Sequence, residues 1–336
     1  MSAIRPRRSV LYMPGANERA LEKAKTLPAD SLILDLEDAV APEAKVEARD
    51  RVCGVVKAGG YGPRELIIRV NGQDTEWGKA DLRAAAHANP DAILAPKVTR
   101  GDDIRWLDET LSEAGASASL GLWVMIETPL SILNIKDIAS TAQTTRLSGF
   151  VMGSNDLIKD FRAEPMPGRE NLAACYTLAI AAARAYDLLV FDGVYNDIAN
   201  TQGFVAESKQ AKAFGFDGKT LIHPTQVEPC NTVFAPPAEA VQQSRDVIAA
   251  FADPETGPRG PTPGAIHAPR TRPAGDQQAP VRQGAQAARA LVVRERRSIR
   301  RHPVTSVPAH QRPDASALVT DQAVQRTVPV REFPRP

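Results

Sequence analysis

Cysteine is scarce in this chain, which excludes the protein classes that depend on it. The three cysteines, Cys53, Cys175 and Cys230, are an odd number and have no CxxC or other metal-ligand spacing. We therefore expect buried free thiols in a reducing compartment rather than disulfides. The N-terminal stretch MSAIRPRRSV lacks the apolar segment of a signal peptide, and no apolar run approaches the roughly 20 residues of a membrane span. These absences predict a cytoplasmic protein without a membrane partner.

The net charge of the whole chain is also close to zero, but it is the sum of an acidic region and a basic region. The whole chain carries a formal charge of +1, yet from Pro258 onward 14 arginines and five acids give +9, so the preceding residues carry −8. An acidic body offers no basic face to nucleic acid, which excludes that partner. The last region also holds twelve of the 27 prolines, and such a composition cannot bury enough surface to offset ordering entropy. We expect residues 1–255 to form the folded domain and residues 256–336 to be a disordered Arg/Pro-rich tail.

Eight short apolar runs alternate with segments of helical periodicity. The apolar runs are almost continuous, as is typical of parallel strands that are covered on both faces. The segments between them place apolar residues at three- and four-residue spacing. Eight alternations favour an α/β fold, a TIM (β/α)8 barrel, over an open sheet. The predicted strands are 9–13, 31–36, 65–70, 92–98, 122–127, 149–154, 188–193 and 219–224.

Polar residues cluster at the carboxyl ends of these predicted strands. In a (β/α)8 barrel that rim is where the active site lies. No Ser/His/Asp spacing, G-x-S-x-G elbow, P-loop or dinucleotide glycine fingerprint offers another candidate site. The rim residues are Asp35, Glu37, Asp38, Arg69, Asn71, Lys97, Glu127, Ser154, Asn155, Asp156, Asp192 and His223.

Two of the rim acids, Glu127 and Asp156, follow neighbouring predicted strands. Their oxygens could share one Mg²⁺, which prefers oxygen ligands and usually keeps waters or substrate oxygens in its other positions. Alternatively, each acid merely caps the helix that follows it. The spacing leaves both interpretations open.

The basic rim residues suggest anion binding. Arg69 lies in an apolar strand, where an unpaired guanidinium would be strongly unfavourable. It could pair with Glu37 or Asp38, or face an anionic substrate and stabilise developing negative charge together with a metal. Lys97 could bind substrate or only reach solvent. The acid-rich rim should raise the pKa of Lys97, which argues against a Schiff-base mechanism. His223 is a lone histidine, and such residues more often pack than catalyse.

Longer stretches add a family resemblance. The segments ILDLEDAVAPEAK, IIRVNGQDTEWGKADL, MIETP, VMGSNDL, DGVYNDIANTQGF and GFDGKTLIHPTQV resemble the citrate lyase beta subunit and CoA ester lyase family of HpcH/HpaI aldolases. The resemblance runs from about Arg8 to Pro254 and is greatest for the malyl-CoA branch, which includes malyl-CoA lyases and malyl-CoA thioesterase.

The resemblance implies site roles and an assembly. It implies Mg²⁺, or Mn²⁺, bound by Glu127 and Asp156, and a CoA thioester as substrate. Arg69, Glu37 and Asp38 would be catalytic: Arg69 would hold the enolate or the carboxylate of the acid, and the two acids would order the water shell of the metal. The CoA ester and its acid would contact Arg69, Arg19, Lys25, Lys97 and His223. A homo-oligomer, trimer or hexamer, is the expected assembly.

The implied reaction is a reversible Claisen-type cleavage of a 3-hydroxyacyl-CoA such as malyl-CoA into glyoxylate and acetyl-CoA. The alternative is (3S)-malyl-CoA thioesterase activity in the same site. A third interpretation follows from a departure from the family, which usually continues into a DGKMVD-like motif with an acid/base aspartate. Here the chain reads FADPETGPRGPTPG, and its arginine-rich continuation suggests out-of-frame translation or, alternatively, a basic tail. The protein would then be a catalytically impaired barrel that binds CoA esters.

Overall fold

The structure, a computed structural model, describes residues 5–252, with side chains described as far as residue 246. The expected disordered tail at 256–336 lies outside the described residues. Within them, no helix is both long and apolar enough to cross a membrane. The three cysteines are free and buried, as predicted.

Eight parallel strands form a closed barrel in chain order, with β8 paired to β1. The predicted TIM (β/α)8 architecture is therefore confirmed. The strands are β1 (Ser9–Pro14), β2 (Ser31–Asp35), β3 (Glu65–Arg69), β4 (Ala92–Ala95), β5 (Gly121–Ile126), β6 (Leu147–Met152), β7 (Leu189–Asp192) and β8 (Gly218–Leu221).

Helices follow every strand and cover the outside of the barrel. They are α1 (Glu18–Ala24), α2 (Lys45–Ala58), α3 (Gly78–Ala88), α4 (Gly101–Glu113), α5 (Pro129–Leu133), α6 (Ile135–Ser140), α7 (Ser154–Asp160), α8 (Ala173–Ala185), α9 (Thr201–Phe214), α10 (Val227–Phe234) and α11 (Ala238–Ala252). A short 3-10 turn, Pro42–Ala44, precedes α2, and another, Pro224–Gln226, precedes α10.

Side chains alternate between two apolar layers, and this alternation decides which polar residues reach the site. The inner layer fills the barrel and includes Ile33, Ile67, Trp123 and Phe191, with the Trp123 and Phe191 rings stacked at a centroid distance of 4.7 Å. The outer layer joins the strands to the helices. Because successive strand residues face opposite sides, the residues two positions after an inner residue, such as Asp35 and Arg69, also face inward at the carboxyl end.

Several strands end earlier than predicted. Strand β8 stops at Leu221, so His223 lies beyond it. The Oε1 of Gln226 accepts hydrogen bonds from the backbone N–H groups of Ile222 (3.1 Å) and His223 (3.3 Å). These bonds satisfy backbone donors that strand pairing would otherwise use, and the chain turns into the following 3-10 segment.

Candidate functional site

A cavity of about 430 Å³ opens at the carboxyl end of the barrel. Its lining includes Tyr12, Asp35, Asp38, Arg69, Met125, Ser154, Asn155, Asp156, Asn196 and Ile222. A larger groove of about 670 Å³ lies between α9 and α10 on the outside of the barrel and is lined by residues such as Val205, Lys209 and Glu228. The rim cavity is the candidate site because it collects inward-facing charged groups from several strands.

The two predicted metal ligands meet at one positively charged atom. The Nζ of Lys97 lies 2.8 Å from Oδ1 of Asp156 and 3.4 Å from Oε1 of Glu127. The backbone N–H of Lys97, a residue with φ of 57°, also donates to Oε1 of Glu127 at 2.7 Å. A single ammonium contacts both carboxylates, so the two acids are close enough to share one cation.

The alternative in which these acids cap the following helices is wrong. Thr128, not Glu127, is the N-cap of α5, and its side chain accepts a hydrogen bond from the backbone N–H of Ser131. Gly153 occupies the N-cap position of α7, and Asp156 lies within the first turn of that helix. Both carboxylates are therefore free of a capping role and directed at Lys97.

Gly153 allows the start of α7, which carries Asp156, to lie close to Glu127. A Cβ atom at position 153 would lie 2.3 Å from Cβ and 2.7 Å from Oε2 of Glu127. The φ of Gly153 is −97°, so its backbone needs no glycine. Glycine is needed at position 153 because Glu127 fills the space that a side chain there would occupy.

Arg69 is held mainly by Asp35, a partner that the sequence did not single out. Its Nε and Nη2 donate to Oδ1 and Oδ2 of Asp35, each at 2.6 Å, in a buried bidentate pair. Its guanidinium also stacks over the Tyr12 ring at 4.8 Å. Asp35 additionally accepts backbone N–H groups of Glu37 and Ala39. The aligned ends of β2 and β3, where residue 35 is opposite residue 69, create this pair.

The predicted partners of Arg69, Glu37 and Asp38, both contact its remaining nitrogen. Nη1 donates to Oδ2 of Asp38 at 3.1 Å, although the Asp38 side chain is 71% exposed. Oε2 of Glu37 lies 2.8 Å from Nη1 but makes no hydrogen bond with any residue that the structure describes. The distance alone indicates charge attraction, and the geometry leaves this buried oxygen available as a proton acceptor or donor.

Burial raises the pKa values of two carboxyl groups at the site, those of Glu37 and Glu127. Burial raises the pKa of Glu37 to about 8, even though the charge of Arg69 opposes this. Burial likewise raises the pKa of Glu127 to about 7, against the opposing charge of Lys97. For Lys97 itself, burial lowers the pKa, but the Asp156 hydrogen bond and the neighbouring acids outweigh it and raise the pKa overall. The predicted rise for Lys97 is confirmed, which disfavours imine chemistry.

The remaining predicted contact residues have contacts of their own, none of which is to the acids or to Arg69. Arg19 is exposed on α1. Lys25 pairs with Glu22 at 2.7 Å. The ring of His223 interacts with Thr225, its Nδ1 lying 2.8 Å from Oγ1. None of these contacts tests a role in CoA binding, which stays a prediction for all three.

Asp192 does not belong to the cavity, contrary to the expectation that it is a rim residue. Because Phe191 faces the barrel interior, the next side chain faces outward. Asp192 pairs there with Lys219 and Arg169, each at 2.7 Å. All three side chains are at least nine-tenths buried.

The donor set fits a hard cation that keeps other ligands. Among residues 5–246, no group of three or more His, Cys, Asp or Glu side chains has metal-binding geometry. Two carboxylates around one cationic nitrogen nevertheless match Mg²⁺, which is commonly held by one or two carboxylates and completed by waters and substrate oxygens.

Comparisons with known proteins agree with the fold and the motifs. Residues 8–224 match the family model described as HpcH/HpaI aldolase/citrate lyase. A (3S)-malyl-CoA thioesterase of Cereibacter sphaeroides is 47% identical over 255 residues, which cover 76% of this chain and 86% of the relative. The citrate lyase subunit beta of Escherichia coli is 35% identical over 251 residues, covering 73% and 82%.

Solved structures show the same barrel. The protein CitE from Mycobacterium tuberculosis, in complex with magnesium, acetoacetate and coenzyme A, is 25% identical and superposes with a TM-score of 0.60 over 75% of this chain and 89% of that chain. RipC from Yersinia pestis is 28% identical, with a TM-score of 0.58 over 70% and 97%. Together with the family-model match, these similarities show that the chain belongs to the HpcH/HpaI aldolase/citrate lyase family.

Proposed function

We propose that this protein hydrolyses the thioester of (3S)-malyl-CoA or a closely similar CoA ester, with Mg²⁺ bound by Glu127 and Asp156. The observation that carries the proposal is the meeting of these two carboxylates at one cationic position beside the paired Arg69. The 47% identity to a protein named malyl-CoA thioesterase favours hydrolysis. The alternative from the sequence thus becomes the leading proposal.

The side chains around the acid pair would bind the charged parts of the substrate. When bound, Mg²⁺ supplies Lewis acidity that polarises an oxygen of the substrate or of water. Lys97 is 39% exposed, so its ammonium can leave the acid pair and bind a carboxylate of the substrate. Arg69 can exchange Asp38, its most exposed partner, for a substrate oxygen at Nη1, while Asp35 keeps the guanidinium oriented.

Glu37 is the acid/base candidate beside this cavity, where it contacts the cavity residue Arg69. Its Oε2 lies 2.8 Å from Nη1 of Arg69 but makes no hydrogen bond within residues 5–246, and its pKa of about 8 allows proton exchange near neutral pH. In hydrolysis Glu37 would accept a proton from water as the water oxygen bonds to the thioester carbon. Arg69 would stabilise the oxyanion. As the carbon–sulfur bond breaks, Glu37 would pass the proton to the leaving sulfur, and the products are malate and free CoA.

The assay follows the two sets of products separately. Purified protein with malyl-CoA and Mg²⁺ should release free CoA and malate, and EDTA should stop the reaction until Mg²⁺ is restored. Formation of glyoxylate and acetyl-CoA without malate would contradict hydrolysis. Absence of any turnover, with binding retained, would instead support the catalytically impaired barrel.

Carbon–carbon cleavage is the second candidate function. The 35% identity to a citrate lyase subunit beta favours it, and the same groups suit it chemically. Glu37 would take the hydroxyl proton of the 3-hydroxyacyl-CoA, the carbon–carbon bond would break to give glyoxylate, and Arg69 would stabilise the acetyl-CoA enolate until it is protonated. Glyoxylate release in the assay above distinguishes the two reactions. The homo-oligomer also stays a prediction, which sedimentation of the purified chain would test.

A further inference from the structure

A buried polar network outside the cavity reaches the start of the helix that carries Asp156. Lys219 donates through Nζ to Oδ2 of Asp192 and to Oε1 of Glu207, each at 2.7 Å. Arg169 donates through Nη1 to Oδ1 of Asp192 at 2.7 Å. Two cations and two carboxylates thus balance one another between the barrel and its helices, and the proposed chemistry uses none of them.

One branch of this network runs toward the site through Tyr176 and Ser154. The Arg169 guanidinium lies 5.0 Å from the Tyr176 ring centroid, and Nη1 donates to the Tyr176 hydroxyl at 3.5 Å. Arginine has only donors, so the tyrosine oxygen accepts from it. Burial raises the pKa of Tyr176 to about 12, so the hydroxyl keeps its proton. That proton is then available to Oγ of Ser154, 3.0 Å away.

Ser154 is the first residue of α7, two positions before Asp156. The N-cap residue, Gly153, has no side chain with which to fix this helix start. A Cβ at Gly193 would lie 2.3 Å from Oγ of Ser154, so the backbone at 193 packs closely on that hydroxyl. The Tyr176 hydrogen bond is therefore the buried side-chain tie of the first turn of α7, whose next residue, Asn155, exchanges exposed hydrogen bonds with Asn196.

The backbone at Arg169 supports an anchoring role for this side chain. Its φ is 53°, in the left-handed region that residues other than glycine seldom adopt. Such a conformation persists where surrounding contacts over-determine it. Here the contacts are the buried Asp192 and Tyr176, together with Gln210, whose Oε1 accepts from Nη2 at 2.8 Å.

We propose that Tyr176 is a positioning residue for metal binding: through Ser154 it fixes the first turn of α7 and thereby the Asp156 carboxylate opposite Glu127. This inference rests on the proposed metal site. Mg²⁺ tolerates little deviation from octahedral geometry, so a looser first turn would weaken binding even where the fold is intact.

The test is Mn²⁺ binding, measured by the electron paramagnetic resonance signal of the free ion. Tyr176→Phe keeps the ring and removes only the hydroxyl, and Ser154→Ala removes the other partner without touching the buried charges. Each should raise the Mn²⁺ dissociation constant by about tenfold, the low end of the loss expected for groups that orient metal ligands, because Ser154 lies two residues before the ligand Asp156. The double variant should lose no more than either single variant, since both remove one interaction.

The matched control is Tyr186→Phe. Tyr186 follows the same helix, α8, is partly buried, and its hydroxyl has no hydrogen-bond partner within residues 5–246. Its Mn²⁺ affinity should stay within about twofold of wild type. Wild-type affinity in Tyr176→Phe, or additive losses in the double variant, would overturn the positioning role. Failure of the wild-type protein itself to bind Mn²⁺ would overturn the proposed metal site and this inference together.

Discussion

Replacing Gly153 by alanine tests the close approach on which the acid pair depends. The added methyl group would lie 2.3 Å from Cβ and 2.7 Å from Oε2 of Glu127. Since Glu127 follows directly after β5, its Cβ cannot rotate away. The end of β5 and the start of α7 must therefore separate by about 1.2 to 1.7 Å to restore ordinary contact distances of about 3.5 to 4.0 Å.

This separation should lower both the free energy of unfolding and the affinity for a divalent metal. Overpacking of a buried position costs typically about 1 to 3 kcal/mol of the free energy of unfolding. The same shift moves the Glu127 carboxylate relative to Asp156, and we expect divalent-metal affinity to fall by about 10- to 100-fold because of the strict geometry of Mg²⁺. Thus the metal-binding loss should exceed what the stability change alone explains.

The assay pairs urea unfolding with Mn²⁺ binding, and Gly54→Ala serves as the control. Gly54 lies in α2, and a Cβ there would meet no atom within 4 Å. That substitution should stabilise the protein by about 0.5 to 1 kcal/mol through helix propensity and leave metal affinity unchanged. Wild-type Mn²⁺ affinity in Gly153→Ala would refute the reasoning, because it would mean that the spacing of Glu127 and Asp156 does not limit binding.

Other substitutions test the charged groups around the cavity. Arg69→Met should lower the free energy of unfolding by about 3 to 5 kcal/mol because it leaves the Asp35 carboxylate buried without its partner; a loss below about 1 kcal/mol in urea denaturation would contradict that pairing. For Glu37, the folded-state pKa of about 8 exceeds the ordinary value of 4.5, so the folded state binds more protons and stability should fall as pH rises from about 5 to 8. Glu37→Gln should remove this fall and be more stable than wild type at pH 9 by on the order of 2 to 4 kcal/mol; parallel stability curves for the two proteins would argue against the raised pKa. Lys219→Met should lower the free energy of unfolding by about 3 to 5 kcal/mol, because Arg169 alone would then face the buried carboxylates of Asp192 and Glu207, and thermal unfolding close to wild type would contradict the ion network.

The barrel could be predicted from the sequence because an apolar run followed by a segment of helical periodicity is repeated eight times. Each parallel strand is buried on both faces, so each produces a short apolar run, and the polar residues that follow mark the rim. Glu127 and Asp156 were found in this way, since neighbouring strands must bring their carboxyl ends together. Fold and approximate site position therefore follow from patterning alone.

The partners and orientations of individual side chains could not be predicted in the same way. The run LLVFD is apolar up to its last residue, so it does not reveal that Phe191 faces inward and Asp192 outward. The pairing of Arg69 with Asp35 depends on the register of β2 and β3, which two separate apolar runs do not specify. Lys97, which has a left-handed backbone, contacts both acids, and its residue type does not signal such a turn.

Both proposed reactions depend on one divalent ion that is bound by Glu127 and Asp156 together. Crystals of the wild-type protein grown with Mn²⁺ should give an anomalous-scattering peak about 2.2 Å from a carboxylate oxygen of each residue. A peak that contacts only one of the two carboxylates, or that lies away from the rim cavity, would contradict the account.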